Sequence, residues 1–300
     1  MNLRKLLSGR VAHRTLGLAL GTALSASLAA GAAQAEPAMW VVKDKDSTIY
    51  MIGTVHLLRS ETTWKTPKIE KALADSQELW LEIVDVDDQA AMQPLIMKHG
   101  VDQQKPLSAK LTDAQKAKLA AVSAKYGVNP AQMEPLKPWL VGLTFSVLPI
   151  QKAGFDPNAG VDRVLKAAAV KEGDKIAAFE TTEQQVMFFA GMSEAEQIAF
   201  MEAALDDADR GVAVLDQLAE AWAKGDVDTI GKVMNDEMKA DAPQVYDLLL
   251  TQRNIRWAEK IDQMLEGSGT HLVAVGAGHL AGPDSVQVQL KKRGIEAKRH

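Results

Sequence analysis

The 300-residue chain has no cysteine, which removes thiolate metal sites, thiol nucleophiles, disulfides and thiol redox roles from consideration. It has no excess of positive charge either. The formal net charge is −5, so a nucleic-acid surface is not expected. The sequence lacks a Gly-rich phosphate loop, a Gly-x-Ser-x-Gly elbow, a His-Glu-x-x-His helix and an EF-hand loop, and nucleophilic serine catalysis has no support. Low-complexity linkers and full-length internal repeats are missing too. One long apolar run is present, residues 16–30, and it is shorter than the roughly twenty residues that a permanent membrane-spanning helix requires.

Around that run lie Arg4, Lys5, Arg10 and Arg14 on the amino side and Ala33-Gln34-Ala35 on the carboxyl side, the pattern of a secretory signal cleaved near Ala35. Residues 1–35 are therefore expected to be removed and residues 36–300 to work as a periplasmic or secreted protein with no membrane span. The segment carries four cations and no anions, so its loss takes the net charge from −5 to −9. What remains is long enough for one large α/β domain with a buriable core.

Short β-rich runs at residues 39–43 and 48–52 flank Asp44-Lys45-Asp46-Ser47, which is hairpin chemistry. Residues 78–84 read as a third strand. From about residue 88 to 150 the pattern is helical, cut into pieces by Pro135, Pro138 and Pro149. Residues 160–170 read as a helix and 175–179 as a strand. A long helical stretch follows to about residue 266, punctuated at Gly191, Gly211, Gly225 and Pro243. Residues 271–275 (HLVAV) are a strand, 283–292 a helix and 295–299 a last short strand. Strands at both ends with helices between them predict an α/β fold, a central mixed sheet built from N- and C-terminal strands with a long helical middle insertion.

Twice an apolar strand runs into Gly-x-x-His: Gly53-Thr54-Val55-His56 and Gly276-Ala277-Gly278-His279. Residue counts give roughly 0.4 such spacings by chance, so the shared context, a strand ending in glycine, carries most of the weight. Glycine lets the backbone turn or approach a ligand and leaves the histidine at the carboxyl edge of the strand, where α/β sheets build their sites. A third candidate, Glu82, interrupts the apolar run Leu79-Trp80-Leu81-Glu82-Ile83-Val84. A buried charge there must be paired or bind a metal; alternatively, Glu78, Trp80 and Glu82 share a solvent face. Two imidazoles and one carboxylate suit zinc, manganese, iron or cobalt, with positions left open for water.

Other candidates have plainer explanations beside them. Glu180, after the strand at 175–179, also suits the positive end of a helix. Asp162, after Gly160-Val161, is placed where caps are common. Arg253 and Asn254 lie on a predicted helix, where they either face solvent or clamp an anionic group and donate to it. His99 has no supporting neighbours, His271 begins a strand and His300 is the last residue, so all three are set aside.

In combination these residues resemble the TraB/GumN family, which is related to the Tiki proteases and more distantly to erythromycin-esterase-like and ChaN-like proteins. The resemblance runs through Gly53-Thr54-Val55-His56, Glu82, Gly160-Val161-Asp162, Phe179-Glu180-Thr181 with Glu183-Gln184, Arg253-Asn254 with Trp257, and Val275-Gly276-Ala277-Gly278-His279-Leu280. It implies a central mixed sheet on which the paired motifs and the glutamate meet. From the Tiki branch it implies a divalent-metal-dependent hydrolase acting on peptide or another small substrate. His56, His279 and Glu82 would hold the metal, Glu82 would serve as ligand or base, and Arg253, Asn254, Glu180 and Asp162 would orient substrate or ligands. Two other expectations belong to different classes. One is a non-catalytic periplasmic protein that binds a metal or haem-like ligand, and the other is a partner-docking module with a silent site.

Overall fold

The computed structural model describes residues 36–85 and 88–300, so the expected signal sequence lies outside the described residues. The chain from Glu36 begins almost at once as strand β1 (Met39–Lys43), which turns into β2 (Ser47–Thr54). The turn is held by Asp44, whose carboxylate accepts the backbone N–H groups of Asp46 and Ser47 at 3.1 and 2.7 Å. The strands pair antiparallel, Met39 opposite Ile52, as the hairpin signal predicts.

The remaining strands are β3 (Glu78–Leu81), β4 (Lys175–Ala178), β5 (Gly269–Gly276) and β6 (Lys298–Arg299). They complete a six-stranded mixed sheet in the order β4-β3-β5-β2-β1-β6. Strands β4, β3, β5 and β2 are mutually parallel, and β1 runs against both of its neighbours. The β2–β5 register sets Gly53 opposite Val275 and Thr54 opposite Gly276, so the two motifs leave the sheet side by side.

Side chains alternate across the sheet, as the pleat requires. Tyr50, Ile52, Leu272 and Ala274 enter one core, with the helices Pro67–Asp75 and Val161–Glu172 and with Trp222. Ile49, Met51, Val273 and Val275 enter the other, against the helices Gln252–Leu265 and Val286–Lys292. A third core, built on Leu119, Phe145, Met201 and Leu205, joins the helices Asp113–Tyr126, Pro138–Lys152 and Glu194–Asp207. The middle insertion therefore has apolar contacts of its own. No helix among the described residues is long and apolar enough to cross a membrane.

Several boundaries differ from the sequence expectation for local reasons. Pro149 lies inside the last turn of the helix Pro138–Lys152 and does not end it, since that helix is anchored by buried Trp139, Val141 and Phe145. The expected helix at 283–292 starts only at Val286, because a short 3-10 turn, Ala277–Leu280, and Gly282 at positive φ come first. The strand expected at 295–299 is reduced to Lys298–Arg299. The long helical stretch also contains two π-helical segments, Gly231–Asp236 and Asp247–Thr251, which apolar periodicity does not announce.

Candidate functional site

Four adjacent parallel strands end at one edge of the sheet, and each delivers one candidate. Beyond β4 comes Glu180, one residue past β3 comes Glu82, and His279 and His56 follow β5 and β2. The ladder continues past the last paired residues, with the N–H of Glu180 donating to the carbonyl of Glu82 at 2.9 Å, which fixes the spacing of the two carboxylates. Glu82 thus lies on the inner side, and the solvent-face alternative fails for it: its side chain is 13% exposed.

The first motif ends in the open. More than half of the His56 side chain, 55%, is exposed, and its Nδ1 lies 3.0 Å from Oδ1 of Asp162. Asp162 is buried in the first turn of Val161–Glu172, and the N–H of Val161 donates to the carbonyl of Val55 at 3.0 Å, which docks that helix on the motif. Neighbouring atoms oppose a charge on His56, but the hydrogen bond and charge of Asp162, with Glu82 behind it, outweigh them and raise its pKa to about 9.

The second motif ends in the core. His279 is 4% exposed. Its ring lies 4.3 Å from that of Trp257. Asn254 donates from Nδ2 to the carbonyl of Asp284 at 2.8 Å, which turns its Oδ1 toward His279 Nδ1 at 2.6 Å. Nδ1 therefore carries the proton, and Nε2 is left as an acceptor for the Arg253 guanidinium at 3.0 Å. Burial, joined by the charges of Arg253 and His56, overrides the attraction of Glu82 and lowers the His279 pKa to about 3.

Arg253 is the hub. It grips Glu180 through two parallel bonds of 2.8 Å each and reaches Glu82 Oε2 at 2.6 Å. Burial works against this charge, and the two carboxylates reverse that effect and raise its pKa. For Glu82, burial opposes ionisation. The charges of Arg253, His279 and His56 and the N–H of Gly276, 2.8 Å from Oε1, still hold it well below the usual carboxylate range. Gln185 bridges the two carboxylates, donating to Glu82 at 3.0 Å and Glu180 at 3.1 Å, and the Trp257 indole donates to Glu180 at 3.2 Å.

The motif glycines make this arrangement possible. A Cβ on Gly53 would come within 2.9 Å of the Cα of Ala277, so the two loops touch only because it is absent. A Cβ on Gly276 would point into the place where Glu82 Oε1 (3.0 Å), His279 Cδ2 (3.6 Å) and His56 Nε2 (3.7 Å) converge. A pocket with about 170 Å³ of enclosed space is lined by His56, Glu82, Asp162 and Gln185 together with Thr54.

As metal donors, the three side chains fit in kind: two imidazoles and a carboxylate around one cradle. Their placement is partly taken by Arg253, which bonds both His279 Nε2 and Glu82 Oε2. Accordingly, no three His, Asp or Glu side chains among the described residues are already spaced as a ligand set. All of the sequence candidates, including Asp162 and Glu180, meet at this edge. Gln185 and Thr54 join them without having been singled out. Gln185 follows the capping box of Thr181 and Gln184 by one residue, and that box is the only sequence signal that could have placed it.

A mixed sheet whose parallel strands carry paired Gly-x-x-His motifs to one edge defines the class, and the chain belongs to the TraB/PrgY/gumN family, whose model matches residues 38–299. It is similar to the uncharacterized protein YbaP of Escherichia coli (strain K12), 21% identical over 85% of this chain and 92% of that one. The YbaP protein of Shigella flexneri matches to the same extent. An uncharacterized protein of Treponema pallidum (strain Nichols) is 21% identical over 86% of this chain and 81% of its own length. No solved structure matches.

Proposed function

We propose that this protein is an exported, metal-dependent hydrolase with peptide as its substrate class, working in the periplasm or outside the cell. The observation that carries the proposal is the convergence of His56 Nε2, Glu82 Oε1 and the His279 ring on the face of Gly276. His56, Glu82 and His279 would hold a divalent ion such as zinc, manganese or cobalt, His279 doing so as Arg253 gives up its contact. The bound ion would supply an acidified water and polarise a scissile carbonyl.

The chain's own residues do the rest. Asp162 holds the His56 ring by Nδ1 and so presents Nε2 to the pocket. The Gly276 N–H and Gln185 fix the two oxygens of Glu82. Arg253 keeps Glu82 ionised and remains as a buried cation facing any oxyanion that develops. Export rests on residues 1–35 of the sequence, and peptide on the Tiki resemblance.

The test is metal content and peptide hydrolysis of the protein purified without chelator and titrated with zinc, manganese and cobalt, beside His56→Ala, Glu82→Ala and His279→Ala. Loss of metal in both histidine variants and of hydrolysis in all three is expected. Metal retained by all three variants would sink the site. Metal binding without hydrolysis of any peptide would favour the non-catalytic binding protein.

A further inference from the structure

His56 stands between two pockets of opposite character. On one side lie Glu82, Asp162 and Gln185. On the other, a second pocket with about 150 Å³ of enclosed space is walled by Leu57, Leu215, Leu218, Trp222, Ile230 and Met234. The polar tip of Trp222 is turned away, donating to the Gly53 carbonyl at 2.7 Å, so the ring offers carbon to the space. Met234 lies on the π-helical segment Gly231–Asp236, and buried Asn235 next to it donates to the carbonyls of Gly278 and Ala281 at 2.9 Å each. The apolar wall is therefore fastened to the second motif.

Thr54 lines both pockets. It is 3% exposed, and its hydroxyl has no hydrogen-bond partner in the protein. A buried hydroxyl left unpaired is costly, and a group arriving from outside relieves that cost. The arriving group must carry a hydrogen-bonding atom at Thr54, an apolar branch in the second pocket and its reacting bond beside His56. An amino-acid residue in a peptide has this form: an amide within two bonds of its side chain.

We infer that the pocket of Leu57, Leu215, Leu218, Trp222 and Met234 is a specificity subsite for an aliphatic side chain flanking the scissile amide, with Thr54 hydrogen-bonded to that residue's backbone. The inference rests on the proposed hydrolase for its setting and adds the side-chain class of the substrate. A leucine-sized branch fits a wall of flexible aliphatic groups, and a charged side chain would find no partner there.

The test reads binding apart from turnover. Protein labelled with 13C in the methionine methyls is titrated with N-acetyl-leucinamide, N-acetyl-glycinamide and N-acetyl-aspartamide, the Met234 signal being assigned with Met234→Leu. Saturable shifts of that signal by the leucine compound alone are expected. Leu215→Trp, which fills the space, should weaken binding by about tenfold or more, and Thr54→Val by several-fold. If Leu215→Trp does not fold, Leu218→Asp and the probe series on the unaltered protein decide the matter. Equal shifts from glycinamide and leucinamide, or none from either, overturn the subsite. The same titration in Glu82→Gln separates the two proposals: binding kept with no peptide cleaved in any variant breaks the hydrolase alone. Cleavage with no preference for leucine over glycine or aspartate breaks the subsite alone.

Discussion

The two Gly-x-x-His motifs share a spacing, a preceding strand and a level in the sheet, yet their histidines end in opposite chemical states. His56 is half in solvent and leans on a carboxylate, with its pKa raised to about 9. His279 is enclosed by Trp257, Asn254 and Arg253, with its pKa lowered to about 3. The difference comes from the partners on other elements, a helix-start aspartate for one and a buried guanidinium for the other. The same Gly-x-x-His spacing thus gives one ring that readily carries a proton and one that keeps its lone pair.

The largest effect should come from removing the group that separates them. Arg253→Met leaves Glu82 and Glu180 buried without their cation and is expected to cost about 3–5 kcal/mol in urea unfolding. Arg253→Lys should recover only part of this, because an ammonium cannot make the paired bonds to Glu180. A loss under about 1 kcal/mol would mean that the carboxylates are held by something else.

The histidines themselves should differ in the same sense. His279→Ala leaves Asn254 Oδ1 and one Arg253 N–H unpaired in the core and should cost roughly 1–3 kcal/mol. His56→Ala, at an exposed ion pair, should cost no more than about 1 kcal/mol. Equal costs would remove the contrast. The motif glycines extend it. Gly53→Ala drives a methyl into the Ala277 backbone and should destabilise by about 1–3 kcal/mol. Gly276→Ala meets chiefly the tip of Glu82, so it should cost less than about 1 kcal/mol while abolishing the metal uptake proposed for this site.

Protonation should separate the two rings as well. In chelator-treated protein, ring resonances of His56 should titrate above the ordinary 6.5, and Asp162→Asn should bring that midpoint down. Because the folded value lies above the ordinary 6.5, the stabilisation linked to His56 is complete below about 6.5 and lost as pH rises through about 9. For His279 the sign reverses: the unfolded chain takes the proton first, so stability falls as pH drops from about 6.5 toward 3. A single midpoint shared by both rings would contradict the assignment of their environments.

Much of the site was legible because strand ends, glycine spacing and an out-of-place charge are local signals. Glu82 could be singled out because a carboxylate amid Leu79, Trp80, Leu81 and Ile83 needs a reason to be there. What Arg253 does was not legible, because its bonds to Glu82 and Glu180 bridge residues far apart in the chain. Gln185 and the unpaired hydroxyl of Thr54 were hidden for the same reason. The short β6 and the π-helical segments depend on tertiary contacts that periodicity does not encode.

The strand order has a consequence for time as well as space. Because β5 inserts between β3 and β2, the central position of the sheet is filled by a segment synthesised after all the other parallel strands. Until it arrives, nothing joins the strands that lead to His56 and Glu82, and Gly276 and His279 do not yet exist beside them. The edge is therefore complete only once β5 and the turn that follows it have been made, and a fragment ending before β5 has the first motif without the surroundings that give it meaning.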